Sequence, residues 1–144
     1  VPSQATAIGT ELQAAIFKRL NTYAELESIV AARIYDEPPD NEKFPYIVIG
    51  EEDPTDWTTH TFEGFKGSTT IYAYSRPETK SGKEEVKQIM FLIWLALNNF
   101  DLGLPNRSQV NFRSERQFTN KEDDGRTYEG VIIFTFILGG NETE

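Results

Sequence analysis

His60 is the only side chain here whose ordinary titration spans neutral pH, and it stands in Thr58-Thr59-His60-Thr61 just beyond an acidic run. A histidine base needs a nucleophile to activate. The chain has no cysteine, and no serine sits in the glycine-flanked elbow that exposes a hydrolase nucleophile, so neither thiol nor serine catalysis has its parts. Asn120, Glu122 and Asp124 followed by Gly125 imitate the start of a calcium loop. The twelfth position falls on Val131, where a bidentate glutamate is required, so the segment reads as a turn. Gly64-Phe65-Lys66-Gly67-Ser68 is too short to cradle phosphates, and Lys66 precedes its second glycine; it reads as a turn before a strand. The acidic pairs lie in polar loops where nothing would raise one pKa above the other. No catalytic, cofactor-binding or metal site is completed, and the expectation is a non-enzyme with no cofactor.

Periodicity supplies the elements that position these residues. Ile8, Leu12, Ala15, Ile16 and Leu20 recur at helical spacing over about residues 5 to 20, and Leu26, Ile29 and Val30 suggest a short second helix. Arg33 to Tyr35 looks extended, and Pro38-Pro39 stiffens the loop before a strand at Tyr46 to Ile49. Past Gly50, four acids and Pro54 are expected to end that strand. Between Lys66 and Ser75, Thr70, Tyr72 and Tyr74 alternate with Thr69, Ile71 and Ala73, giving a strand with one mixed and one apolar face. Ser81-Gly82-Lys83-Glu84 has capping-box spacing, and Val86, Ile89, Met90, Ile93, Trp94 and Leu97 trace the apolar stripe of a long helix over 83 to 99. Val110 to Phe118 and Tyr128 to Leu138 alternate as strands around Asp124-Gly125, a hairpin signal. Both alternating sets of the last strand are apolar, so it is expected to lie centrally or to meet another subunit. The order predicts one α+β domain over residues 1 to 144, an antiparallel-rich sheet packed against two main helices.

Composition narrows the partners. An apolar fraction of 38% with 12% aromatic residues supports a packed core, and 14 basic against 23 acidic residues give a net charge of −9, the wrong sign for gripping phosphates. Ile89 to Leu97, the longest apolar run, is far short of a membrane span, and the N-terminus lacks a signal-peptide pattern, so the reading is soluble and intracellular with no membrane. The acids cluster at Asp36-Glu37 with Asp40 and Glu42, at Glu51-Glu52-Asp53 with Asp56, at Glu122-Asp123-Asp124, and at Glu142 and Glu144. Either solvation explains them, or they line a passage through which a polyanion slides without sticking. In the second cluster the loop carries Trp57, which either folds back on the core or anchors another chain. Asp56, Trp57, Thr58, Phe62 and Phe65 are therefore the candidate interface residues.

Several segments, in this order and spacing, carry a resemblance: Ile34-Tyr35-Asp36, Phe44-Pro45-Tyr46-Ile47-Val48-Ile49-Gly50, Asp56-Trp57-Thr58-Thr59, Ile71-Tyr72-Ala73-Tyr74-Ser75, and Asp124-Gly125-Arg126-Thr127-Tyr128-Glu129-Gly130. Over nearly its whole length the chain resembles the tail-completion proteins of long-tailed bacteriophages and gene transfer agents, a family similar to the lambda-type tail terminators. The resemblance implies a virion protein, assembled in the cytoplasm of a bacterial host, that forms a ring, six-fold by family likeness. It would cap the head-proximal end of the tail tube, stop tail growth and join tail to head. The partners implied are other copies of the chain, the tail tube protein and the head–tail connector, with DNA passing through unbound past Glu51, Glu52, Asp53, Glu122, Asp123 and Asp124. Two other readings stay open at this level: a different neck, connector or tube protein, and a small-ligand-binding α+β domain.

Overall fold

The structure is a computed structural model, and it describes residues 4–61, 63–78, 83–105 and 107–139. Three helices, α1 (Gln4–Asn21), α2 (Ala24–Val30) and α3 (Glu84–Leu97), join six strands, β1 (Ile34–Tyr35), β2 (Tyr46–Glu52), β3 (Thr55–Asp56), β4 (Gly64–Ser75), β5 (Gln109–Lys121) and β6 (Tyr128–Gly139). The strands form one sheet in the order β1-β2-β4-β6-β5, with β3 added to β4. Only β1 against β2 is parallel; every other pair is antiparallel.

Apolar spacing decides which face is covered. Ile8, Leu12, Ile16 and Leu20 repeat every four residues on α1 and are at most 1% exposed, while Val86, Ile89, Ile93, Ala96 and Leu97 form the fully buried stripe of α3. Against them lie Ile47, Ile49, Ile71, Ala73, Phe112, Ile132, Phe134 and Leu138, every one an inward residue of its strand. Phe112 and Phe134 stack with centroids 5.2 Å apart. Each such side chain contributes about 1.5–3 kcal/mol when taken from water. Arg19 then fastens α1 to the end of α3: its Nε donates to the Ala96 carbonyl at 2.8 Å, and its guanidinium covers the Phe100 ring at 3.6 Å. A cation suits that site because the carbonyls at a helix C-terminus carry partial negative charge.

Several boundaries differ from the sequence expectation. Gly50 does not end β2, which runs on through a register shift so that Glu52 faces Thr69 and the Asp53 amide bonds Ser68. Gly50 is instead a point of close approach, since a Cβ there would lie 2.6 Å from the Tyr72 ring. The Gly64 to Ser68 segment is not a turn but the start of β4, paired on one side with β3 and on the other with β6. The hydroxyl of the expected capping box, Ser81, lies outside the described residues. α3 starts at Glu84 after Lys83, without a side-chain cap bond. Its end agrees: Asn98 follows the last turn, its Oδ1 accepts from the Ser114 amide at 2.7 Å, and Asn99 takes a positive φ of 59°.

The β5–β6 turn is built around Asp124, whose carboxylate accepts from the Arg126 and Thr127 amides and from the Thr127 hydroxyl at 2.6 to 2.9 Å. Gly125 supplies the positive φ, 76°. Arg76, from beyond the end of β4, adds an ion pair to Asp124 at 3.0 Å and a hydrogen bond to the Thr127 hydroxyl. The Thr127 hydroxyl, with the two amides, holds the Asp124 carboxyl well below the ordinary range.

Two stability tests follow from this packing. A Cβ on Gly130 would lie 2.5 Å from the Met90 sulfur and 3.1 Å from a Val86 methyl, so Gly130→Val should lower unfolding stability in denaturant titrations by about 1–3 kcal/mol. For Asp124, a depressed carboxyl adds stability that is complete above its unfolded pKa of about 3.9 and is lost as pH falls through the folded value. Asp124→Asn should therefore melt lower than the parent at neutral pH, by a gap that stays constant down to about pH 4 and closes below it.

An uncovered acidic and aromatic sheet face

All three helices pack on one side of the sheet, and among the described residues no element covers the other. Alternation sends Tyr46, Val48, Tyr72, Tyr74, Ile133 and Ile137 to this open side. Val131, between Tyr72 and Phe118 in the register, is only 5% exposed there yet stands apart from the core cluster. Tyr46 stacks on Tyr74 at 5.1 Å and Tyr74 on Tyr72 at 6.4 Å. An antiparallel sheet with one solvated face ordinarily turns polar residues outward. Here that face keeps an aromatic and aliphatic centre.

Carboxylates surround the tyrosines. The Tyr74 hydroxyl donates to Glu129 at 2.9 Å, Tyr35 donates to Glu42, and Tyr72 bonds Glu51. Glu129 also accepts from the Asn120 amide at 3.1 Å. Burial first, and then these neighbouring carboxylates, push the hydroxyls of Tyr46, Tyr72 and Tyr74 upward, so all three stay neutral donors at physiological pH. Glu122 is raised as well, by burial and then by Glu129, Asp124 and Asp123. The opposite margin differs: register places Arg113 and Arg116 of β5 beside Thr135 and Ile133.

The candidate channel acids are divided by this geometry. Glu51 reaches the open face at Tyr72, and Glu122 lies close enough to Tyr46 to act on its hydroxyl. Glu52 points the other way, because the register shift turns it inward opposite Thr69 and its carboxylate meets α1 at Gly9; burial, then Glu51, raises its pKa. Asp53 is committed to β4, accepting from the Ser68 amide at 2.5 Å and from its hydroxyl. Asp124 is committed to its turn, so it is a structural residue and not a free surface charge; Asp123 is exposed. Glu42 belongs to an acidic loop cluster legible in the sequence, whereas sequence reasoning missed Glu129 and the tyrosines that hold both carboxylates. The mixed alternation of Thr70, Tyr72 and Tyr74 was the available signal.

The candidate interface residues also separate. Trp57 is half-buried, with its amide donating to Gly64 at 2.7 Å and the Lys66 ammonium 5.3 Å from its ring centre. Asp56 and Thr58 are exposed and bonded to each other at 2.8 Å. Phe65 is no exposed anchor: β4 begins one residue before it, alternation turns it inward, and it joins the core at 9% exposure. Phe62 lies outside the described residues. His60 is exposed, and among the described residues no three His, Asp or Glu side chains converge to hold a metal ion. Among those residues no helix is long and apolar enough to cross a membrane.

Comparison with known proteins adds the family. No curated protein matches the chain. Among solved structures, a chain from the virion of a native gene transfer agent particle superposes with a TM-score of 0.81 at 24% identity, covering 96% of this chain and 100% of that one. At that identity the likeness speaks for the fold: the same α+β arrangement of helices on a mixed sheet. The profile of the tail completion protein gp17 family matches residues 14–139, from the middle of α1 to the end of β6. The chain therefore belongs to the tail completion protein gp17 family and is a structural component of a virion tail.

Proposed function

We propose that copies of this chain form a ring, six-fold by family resemblance, that caps the head-proximal end of the tail tube, ends its growth and offers a surface to the head–tail connector. The observation that carries the reading, beyond family membership, is a sheet whose one face is left uncovered while keeping a tyrosine and aliphatic centre. The tyrosines and aliphatic residues of this face cover one another within the subunit. A ring of such sheets around a channel puts each sheet's neighbours at its margins and the open face toward the lumen. The role is architectural, not catalytic, and the single histidine sits exposed on a loop.

The same face suits DNA in transit. Glu42, Glu51, Glu122 and Glu129 set negative charge on its tyrosine half, and three of these carboxylates are held in place by tyrosine hydroxyls. Like charge keeps a polyphosphate from lodging. Arg113 and Arg116 are confined to the β5 margin, where a neighbouring subunit would stand.

Two experiments test this. Tube protein polymerised with the purified chain should stop growing and show rings at one end by negative-stain imaging; tubes that lengthen regardless, with no rings, would overturn the capping role. For the lumen, Glu51→Lys with Asp123→Lys changes two exposed groups, where stability moves by no more than about 0.5 kcal/mol. Assembled particles should then release DNA slowly at low ionic strength and recover with added salt, because screening weakens the new attraction. Normal release at low salt would mean that the open face points away from the channel.

A further inference from the structure

α3 turns an aromatic stripe outward at the β5 margin of the sheet. Phe91 is 56% exposed and Leu95 43%, and Phe91 stacks on Trp94 with ring centroids 6.3 Å apart and planes 14° from parallel. Between this stripe and Gln117 to Thr119 of β5 runs a groove of about 610 Å³. Met90, Phe91 and Trp94 give it an apolar wall, and Lys87 is the ionised residue among those lining it. Contiguous apolar surface of this kind marks an interaction site, and aromatic walls with cationic rims favour an aromatic side chain flanked by acids.

The chain carries such a segment at its other margin. β3 lies on the β2 side of β4, and Trp57 follows it directly, with Asp56 beside it and Glu63 beyond, both exposed. β5 is the far strand of the sheet. Groove and Trp57 segment thus sit at opposite margins of one sheet, so neither can fill the other within a copy. Contacts between two different patches of identical chains run head to tail, and they generate a ring when the rotation closes.

We infer that the α3–β5 groove of one copy receives the Trp57 segment of the next. The inference rests on the ring reading and names the surfaces that would build it. Lys87 meets Asp56 and Glu63, while Trp57 meets Phe91 and Trp94. The open sheet face takes no part in the contact and stays free to line the lumen.

The absence of cysteine makes a clean test. Thr58→Cys and Lys87→Cys, both at exposed positions, are mixed in equal amounts with tail tubes and treated with a short bis-maleimide. A covalent pair should appear in the mixture and in neither variant alone, and a chain carrying both substitutions should give a ladder ending at the closed ring. In the same assay Phe91→Asp should raise the concentration needed for capping tenfold or more, with its thermal midpoint unchanged because Phe91 is more than half exposed. Rings that form without the cross-link, or Lys87→Cys linked to the tube protein instead, would overturn the groove assignment and leave the ring reading standing. Tubes without rings in the unsubstituted protein would remove the ring reading, and this contact with it.

Discussion

The central placement of β6, with helices on one side of it only, is the constraint on which the rest of the molecule depends. Tyr128 to Gly139 pairs along nearly its full length with β4 on one flank and β5 on the other. Ile132, Phe134, Phe136 and Leu138 face the helices and form the middle of the core. Their alternates Val131, Ile133 and Ile137 necessarily face away, because successive side chains of a strand point to opposite sides. The helices all pack on the first of these faces. A strand apolar on both sides and covered on one leaves a surface that the subunit alone does not finish.

That unfinished surface is kept orderly by polar bonding. Tyrosine hydroxyls pair with Glu42, Glu51 and Glu129, so the rings pack as an apolar layer while their tips satisfy carboxylates. Burial and crowding of negative charge raise the tyrosine pKa values, which keeps these hydroxyls as donors. At the hairpin end, Arg76 and Asp124 neutralise one another and hold the turn rigid. Fixed charge of one sign with few local counter-charges suits a wall past which a polyanion moves and does not suit a site that holds it.

Membership of the tail completion family and the gene-transfer-agent likeness agree with a part whose role is shape and surface. The margins of the sheet differ in chemistry: an acidic, tryptophan-bearing segment at one and an aromatic groove rimmed by Lys87 at the other. Unlike margins on one subunit favour head-to-tail over two-fold contact between copies.

Periodicity by itself determined the helices, the long strands and the hairpin. Four-residue spacing of Ile8 to Leu20 marks a helix, the β-branched and aromatic run of Tyr128 to Leu138 marks a strand apolar on both faces, and Asp124-Gly125 marks a hairpin turn. The double-apolar last strand was legible as central for the same reason. Tertiary structure decided where charge and aromatic groups came to rest. Glu51 and Glu52 are adjacent in sequence and sit on opposite sides of the sheet, because a register shift next to Gly50 turns the second carboxylate toward α1. Phe65 moved from a loop to the core once β4 started earlier, because it shares the inward parity of Ile71 and Ala73 along that strand. Glu42 and Glu129 are far apart along the chain and join one tyrosine cluster through pairing across β2, β4 and β6. Local spacing sets the period of a strand, but which strand lies beside it and in what register is fixed by long-range packing, and on this face the site is made of those neighbours.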